Sequence, residues 1–265
     1  SQKLEFYAQD RWYEMATDSP TLDGGARGVI AGNNPTSNVI QFFTIPIQGN
    51  ATDFGDLSQN RFVGGSGSSR TRGLFMGGDP GPSGRLDDID FITISSTGNA
   101  TDFGDLSTAT AHGCGASNQT RCIMIGGGNS SGSLNIMQFV TISSTGNAQD
   151  FGDTAIAQEH QGGASSPTRG LIAGGNPSTA NAIQFITIST TGNAQDFGDL
   201  SAGRIDITTA SSPTRVVSYG GITPTYLNIM EYVQTMTTGN SIDFGDTVQA
   251  NIAYGSAASN GHGGL

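Results

Sequence analysis

The chain has 265 residues, of which 40 are glycine and only 12% are charged, so turns are abundant and the residues that cover exposed helices are scarce. Its formal net charge of -11 at pH 7 excludes the basic surface that nucleic-acid binding requires, and it argues against docking to anionic lipid. No apolar run approaches the roughly 18 residues of a membrane-spanning helix, so we expect no membrane insertion.

The first 22 residues do not share the repeat that fills the rest of the chain. They contain two segments of alternating polar and apolar residues, Leu4–Ala8 and Arg11–Met15, which predict a β-hairpin. A two-stranded hairpin alone is marginally stable in water, so this one should pack on the following domain, on a partner chain or on further sequence. The aromatic residues Phe6, Tyr7, Trp12 and Tyr13 would make that contact.

An octapeptide of the form Gly-Asn-x-x-Asp-Phe-Gly-Asp occurs five times along the chain. The copies begin at residues 49, 98, 146, 192 and 239, so successive copies lie 46 to 49 residues apart. A period of about 40 to 50 residues is typical of the blades of a β-propeller, each of which is one small sheet. The repeats therefore predict a propeller over residues 23–265.

The unit from Gln161 to Leu200 shows the strands of one blade. A run of small residues (GGASSP) is followed by an apolar segment that ends in a glycine doublet (GLIAGG), and Ile183–Ile188 then alternates as a β-strand does. The turn Thr191–Asn193 leads into the DFGD segment, which makes four strands. This order resembles the kelch repeat, although a phenylalanine stands where that repeat carries its tryptophan. The resemblance implies kelch-like four-stranded blades.

Two incomplete units at the ends of the repeat complete one blade between them. Residues 27–56 supply the second, third and fourth strands of a blade, and Ala253–Ser259 supply a first strand with nothing after it. Pairing these fragments hides two open sheet edges. The sequence therefore predicts an all-β, five-bladed β-propeller whose ring is closed by a C-terminal strand that joins the N-terminal blade.

Several repeated side chains could carry chemistry, and each has a structural alternative. Asp-Phe-Gly also occurs in protein kinases, but Lys3 is the only lysine, so a kinase site is rejected. The paired aspartates of each octapeptide are too few to hold Ca²⁺ alone, and we expect them to cap turns or to bond backbone amides. An arginine at the same point of every blade could form an anion-binding rim, but bonding to the neighbouring blade is favoured. These arginines are Arg27, Arg72, Arg121, Arg169 and Arg215.

The histidines and cysteines give no predicted site. His112 and His160 each precede a repeat arginine by nine residues, whereas His262 falls at the arginine position itself, so a metal-binding ring is not expected. Cys114 and Cys122 flank the first predicted hairpin of their blade, where a disulfide and two free thiols remain equally open. We predict no metal, no cofactor and no catalytic residue.

The units STGNATDFGDL and STTGNAQDFGDL, each preceded by a glycine doublet and an FITI-type strand, resemble repeats in virion structural and tail-fibre-like proteins of marine tailed phages, particularly cyanophages. The hairpin KLEFYAQDRWYEM is likewise similar to short aromatic modules of phage fibres and appendages. The resemblance implies a virion component in the extracellular particle. It also implies that residues 1–22 are an attachment segment that joins other virion proteins through Phe6, Tyr7, Trp12 and Tyr13. A tail fibre, an appendage and a capsid decoration all fit.

The loops between the second and third strands differ from blade to blade, whereas the strands and the octapeptide are nearly constant. Variable polar loops on a rigid scaffold are a usual place for recognition, so we expect a non-enzymatic binding module that recognises a host-surface glycan or protein. The predicted binding residues are Asn33, Asn34, Asp79, Arg85, Asn129, Asn176 and Tyr226. Drift of an unconstrained surface would also diversify these loops. The functional alternative is a lectin-like or a glycan-hydrolysing propeller, and hydrolysis would need two buried carboxylates at non-repeated positions.

Overall fold

A computed structural model of the chain describes residues 4–8, 11–15, 27–32, 35–62, 64–82, 84–176 and 180–249. These residues form β-strands and their connecting loops, with no helix among them. Within the same ranges, nothing helical is therefore long and apolar enough to cross a bilayer.

The predicted N-terminal hairpin is confirmed. Strands β1 (Leu4–Ala8) and β2 (Arg11–Met15) pair antiparallel, with Phe6 opposite Tyr13 and Tyr7 opposite Trp12. The side chains of these aromatic residues lie outside the described part of the structure. Their role in attachment therefore stays a prediction.

The remaining strands form the five blades of a β-propeller. Blade 1 contains β3 (Arg27–Ala31), β4 (Ser37–Thr44) and β5 (Thr52–Arg61). Blade 2 contains β6 (Gly65–Ser68), β7 (Arg72–Gly78), β8 (Leu86–Thr93) and β9 (Thr101–Asp105). Blade 3 contains β10 (Cys114–Ser117), β11 (Arg121–Ile125), β14 (Ile136–Thr141) and β15 (Gln149–Asp153), with the short pair β12 (Gly128–Asn129) and β13 (Gly132–Ser133) in its loop. Blade 4 contains β16 (Gly162–Ser165), β17 (Arg169–Ala173), β18 (Ala182–Thr187) and β19 (Gln195–Asp199), and blade 5 contains β20 (Thr208–Ser211), β21 (Arg215–Tyr219), β22 (Ile229–Gln234) and β23 (Ile242–Asp246).

Each blade is an antiparallel sheet whose strands follow chain order. The first strands of blades 2 to 5 lie against one another, so they are the innermost strands. The predicted all-β, five-bladed propeller is confirmed. Blade 1 has three described strands, because the closing strand predicted at residues 253–259 lies outside the described residues.

The innermost strands approach one another so closely that small residues are required. A Cβ added to Gly115 would collide with the backbone of Ser66 in the neighbouring blade. The amide of Ser68 donates to the hydroxyl of Ser117 at 3.0 Å, and the amide of Ser117 donates to the hydroxyl of Ser165 at 3.2 Å. The run of Gly, Ala and Ser in each first strand is therefore a packing requirement.

The repeated octapeptide joins each blade to the next. Between blades 2 and 3, the amide of Gly146 donates to the Phe103 carbonyl at 2.7 Å, and the amide of Asp105 donates to the side chain of Asn147 at 3.1 Å. A Cβ on Gly104, whose φ is +139°, would lie 2.6 Å from the carbonyl carbon of Gly146. We call this set of contacts the inter-blade latch. It recurs between blades 1 and 2, 3 and 4, and 4 and 5, which explains why the octapeptide barely varies.

The phenylalanine of the octapeptide is a core residue in four blades. Phe54, Phe103, Phe151 and Phe197 are each 2% exposed, and one buried apolar cluster lies at each junction between consecutive blades. Phe244 is different, because 49% of it is exposed. Within the described part of the chain, no following blade covers it.

The repeated arginine also joins neighbouring blades. The guanidinium of Arg121 lies 4.5 Å from the ring centre of Phe139 and donates to the carbonyl of Ile188 in blade 4 at 3.1 Å. The same bond to the following blade is made by Arg27, Arg72 and Arg169. The predicted bonding to neighbouring carbonyls is confirmed, and these guanidiniums serve the scaffold.

Candidate functional site

Two sets of loops share one face of the propeller, which we call the loop face. One set connects the second and third strands of each blade, and the other enters each blade from the blade before it. Isolated bridges hold the two sets together, joining Phe62 to Asp79, Ala111 to Gly128, Glu159 to Asn176 and Ile205 to Ile222. The variable loops therefore lie beside segments that lead directly into the innermost strands.

Three residues, His112, His160 and Asp206, occupy equivalent positions in the entering segments, and we call them the rim residues. Their φ values of 58°, 61° and 55° are the positive ones among the described non-glycine residues. Such values are uncommon and often mark functional positions. The amide of His160 donates to the His112 carbonyl at 2.7 Å, and the amide of Asp206 donates to the His160 carbonyl at 2.9 Å. The rim is thus continuous across three blades.

The polar centre of the rim is the pair formed by His160 and Asp206. The Nδ1 atom of His160 lies 2.8 Å from Oδ1 of Asp206, whose side chain is only 2% exposed. This hydrogen bond raises the pKa of His160 against the opposing effect of burial, so the imidazole stays protonated over a wider pH range. The second carboxylate oxygen of Asp206 is buried and has no hydrogen-bond partner within the described structure.

His112 adds a second imidazole, whose pKa is shifted in the opposite direction to that of His160. Its imidazole stacks on that of His160, with ring centres 4.6 Å apart and planes 19° apart. Burial lowers the pKa of His112, and the neighbouring charge of His160 lowers that pKa further. The ring of Phe62 is also near, with its centre 5.8 Å from that of His112. The lowered pKa favours the neutral form of His112, whereas the raised pKa of His160 favours the protonated form of its stacked neighbour.

Two of the predicted binding residues lie next to the rim. Arg85 forms an ion pair with Asp79, and Nε2 of His112 lies 3.6 Å from the same carboxylate oxygen. The other oxygen of Asp79 accepts the amide of Gly81 at 2.8 Å, which shapes the loop. Both side chains are about a quarter exposed, with values of 23% and 27%. They are therefore held in place while remaining accessible.

Asn176 is the third predicted residue near the rim segments. Its side-chain amide lies 3.4 Å from a carboxylate oxygen of Glu159, the residue before His160, and the hydroxyl of Ser133 lies 3.4 Å from the same oxygen. These contacts tie the loops of blades 3 and 4 to the segment that carries His160.

The other predicted binding residues contribute less to this cluster. The side chain of Asn129 accepts the amide of Ser131 at 2.8 Å and so closes its own loop. Tyr226 is 48% exposed, and its bridge is to Ile222 within the same loop. The predicted residues Asn33 and Asn34 lie outside the described part of the structure.

Sequence reasoning missed Asp206 as a member of the cluster. Only the histidines were compared by position. Asp206 precedes Arg215 by the same nine residues that separate His112 and His160 from their arginines. The offset was therefore visible in the sequence. A search by position instead of by residue type would have found it.

The arrangement is suited to hydrogen bonding and ring stacking at a surface. Among the described residues, no group of three or more His, Cys, Asp or Glu side chains is placed to hold a metal ion. The repeated Asp102 accepts the amide of Gly104 at 3.1 Å, which is the predicted turn role. A pocket of about 110 Å³ lies by the turn Thr187–Asn193 on the opposite face. Small-molecule pockets commonly measure about 300 to 1,000 Å³, so this one is small.

The two cysteines are free and buried. Cys114 stands opposite Ile125 and Cys122 stands opposite Ser117, so the two thiols are not paired across the hairpin. Burial raises the pKa of both thiols to about 12. The open question of a disulfide is therefore decided in favour of free thiols, which are unreactive because they stay protonated.

Comparison with known proteins gives a likeness of fold. No protein-family model matches the chain, and no curated protein sequence matches it. A solved structure of the protein YjhT superposes with a TM-score of 0.71 at 10% sequence identity, covering 88% of this chain and 84% of that chain. At this identity the likeness concerns the fold alone, and it agrees with the blade architecture: the chain is a β-propeller.

Proposed function

We propose that this chain is a non-enzymatic binding module of a phage virion that engages its partner through the loop face. The observation that carries the proposal is the cluster of rim residues. They occupy the same position in three blades of a rigid scaffold, but this position is not filled by one residue type as the scaffold positions are. Together with Asp79 and Arg85, the rim offers charges of both signs and stacked rings. A glycan or a polar peptide supplies the matching hydroxyl or amide donors and the flat faces that stack on rings.

A glycan-hydrolysing propeller is the second candidate, and the pair His160–Asp206 favours it. An imidazole oriented by a buried carboxylate is the arrangement of a general base. Hydrolysis of a glycosidic bond normally requires a second carboxyl group facing the same space. The other non-repeated carboxylates near the rim are already engaged, since Glu159 is hydrogen-bonded to Ser133 and Asn176 and Asp79 is ion-paired with Arg85. Binding without catalysis is therefore the preferred function.

The virion assignment rests on the resemblance of the repeat to those of marine phage structural proteins and on the N-terminal hairpin. The hairpin is a separate two-stranded sheet, as an attachment segment would be. Deleting residues 1–22 should leave a folded propeller that no longer enters the particle. Mass spectrometry of separated virion substructures would locate the full chain and score the deletion. Normal incorporation of the shortened chain would contradict the attachment role.

The binding proposal is tested by changing the loop face without unfolding the propeller. One variant combines His160→Asn with Asp206→Asn, and another replaces residues 79–85 with a Gly/Ser segment of equal length. Thr190→Ala, an exposed change on the opposite face, is the control. On an array of host-surface glycans, the first two variants should bind at least about tenfold more weakly, as expected from losing about 1.4 kcal/mol, and the control should bind normally.

Three outcomes of this experiment separate the hypotheses. Unchanged binding by both loop-face variants would show that the loop face is not the working surface. Release of reducing sugars by the unaltered chain, abolished by His160→Asn, would favour the hydrolase. Loss of binding without sugar release supports the module proposed here.

A further inference from the structure

One carboxylate oxygen of the loop face has two candidate cationic partners. Oδ2 of Asp79 accepts a hydrogen bond from Nη1 of Arg85 and lies 3.6 Å from Nε2 of His112. The second distance is too long for a hydrogen bond, but a positive charge on the imidazole favours a charge-assisted bond of about 2.7 to 2.9 Å. Arg85 ends the variable loop of blade 2, whereas His112 lies in the segment that enters blade 3. The contact between these two segments therefore depends on one proton.

The charged groups that face His112 decide when it takes up that proton. Burial lowers the pKa of His112 from 6.5, and the charges of His160 and Arg85 lower it further. The carboxylates of Asp79 and Glu159 oppose this shift without reversing it. The imidazole is therefore neutral at neutral pH and gains its charge below pH 6.5. A second positive charge then lies next to His160, whose ring centre is 4.6 Å away, and it repels Arg85.

The loop of blade 2 is fixed at Asp79 and open beyond it. The backbone of Asp79 exchanges two hydrogen bonds with that of Phe62, each of 2.8 Å. Gly81 and Gly84 have positive φ values of +97° and +102°, and a Cβ on either would meet no described atom within 4 Å. Arg85 follows this open part of the loop and is 27% exposed. When the two cations compete for Asp79, Arg85 is therefore the partner that can leave.

We propose that His112 and Arg85 compete for the carboxylate of Asp79, so that protonation of His112 releases the Arg85 guanidinium to bind an anionic group of the ligand. This inference rests on the proposed function, because it concerns the ligand of the same loop face. A released guanidinium presents a planar fork of donors that matches a carboxylate or a sulfate. The loop face therefore prefers ligands that carry such groups in mildly acidic solution.

The competition is confined to the junction of blades 2 and 3. The isolated bridges place Gly128, Asn176 and Ile222 at the position of Asp79 in blades 3 to 5, and these side chains carry no charge. One proton at one junction therefore controls one arginine.

Nuclear magnetic resonance tests the competition in the full-length chain. The ring signals of His112 should titrate with a midpoint below pH 6.5, and the amide of Gly81, which donates to the other oxygen of Asp79, should shift with the same midpoint. Inorganic sulfate is the anionic probe, and its binding is followed at the Nε signal of Arg85. The dissociation constant for sulfate should be at least about tenfold lower at about pH 5 than at about pH 8, as expected from one added charge-assisted hydrogen bond.

Two variants should change sulfate binding in opposite directions. His112→Asn removes the competing imidazole and keeps a residue type that tolerates the φ of 58°, so sulfate should bind weakly at both pH values. Asp79→Asn removes the shared carboxylate, while its amide oxygen still accepts the Gly81 amide, so sulfate should bind tightly already at about pH 8. Thr190→Ala, on the opposite face, is the control and should behave as the unaltered chain does.

The outcomes separate this proposal from the proposed function. A Gly81 amide that does not follow the titration of His112 would overturn the competition, as would equal sulfate binding by the unaltered chain and His112→Asn. If the chain binds neutral glycans on the array but shows no pH-dependent sulfate binding, the competition is wrong and the binding module stands. If sulfate binding switches with pH but no glycan binds, the glycan-binding function is wrong and the competition stands.

Discussion

The buried ion pair of blade 5 provides a sharp test of how the blades are stabilised. Arg204 is 0% exposed, and its Nη1 atom lies 2.7 Å from Oε1 of Glu231, whose side chain is 2% exposed. Two further guanidinium nitrogens of Arg204 are buried and have no hydrogen-bond partner among the described residues. Blade 4 performs the same task without charge, through Gln158 and Gln184. The chain therefore contains a natural neutral replacement for its own ion pair.

Replacing one partner of the pair should be far more harmful than replacing both. Either Arg204→Gln or Glu231→Gln leaves a buried charge uncompensated, which should lower the free energy of unfolding by about 3 to 5 kcal/mol. The double variant recreates the pair of blade 4 and should lie within about 1 kcal/mol of the unaltered chain, because exchange of a whole buried pair is often neutral. Urea denaturation at pH 7 measures the four members of this cycle. Losses that simply add in the double variant would refute the reasoning.

The same pair makes a pH prediction. Burial raises the pKa of Glu231, but hydrogen bonds from Ser201 and Ser241 and the charge of Arg204 outweigh it, and the net pKa is lowered from 4.5. A carboxyl group with a lowered folded-state pKa stabilises the fold above its unfolded-state pKa and loses that contribution as pH falls through the folded-state value. The unaltered chain should therefore lose more stability below about pH 4.5 than the double variant does. Parallel acid denaturation curves would contradict this.

Three further outcomes are expected. Gly152→Ala should strongly lower the melting temperature, because a Cβ there would lie 2.6 Å from the Gly192 carbonyl carbon and because the φ of Gly152 is +136°. A melting temperature near that of the unaltered chain would show that the inter-blade latch tolerates a side chain at this position. Arg121→Lys should cost about 1 to 2 kcal/mol in urea denaturation, since the bond to the next blade and the ring stacking are both weakened, and a neutral result would remove the arginine from the scaffold. The hydrogen bond with Asp206 raises the pKa of His160, so this pair stabilises the fold below the unfolded-state pKa of 6.5 and loses that effect as pH rises through the folded-state value. The stability difference between the unaltered chain and His160→Asn should accordingly shrink above pH 6.5, and a difference independent of pH would refute it.

The sequence by itself determined the blade count and the strand order, because the octapeptide recurs at a nearly constant spacing and each strand type has its own residue pattern. It also favoured a scaffold role for the repeated arginines, and Arg27, Arg72, Arg121 and Arg169 each donate to a carbonyl of the following blade. The sequence did not reveal which residue each repeated side chain or amide would contact. The octapeptide looks like a local turn, but its amide of Asp105 bonds Asn147, which is 42 residues away in the chain.

Only the tertiary structure decided where the polar cluster lies. Consecutive members of the set His112, His160 and Asp206 are 46 to 48 residues apart, and their shared nine-residue offset from a repeat arginine shows equivalent positions but not that their side chains meet. The propeller brings them together because equivalent entering segments of neighbouring blades are joined by backbone hydrogen bonds, and they lead into innermost strands that approach so closely that small residues are required. Position around the axis is a property of the closed packing of blades, which local sequence does not encode.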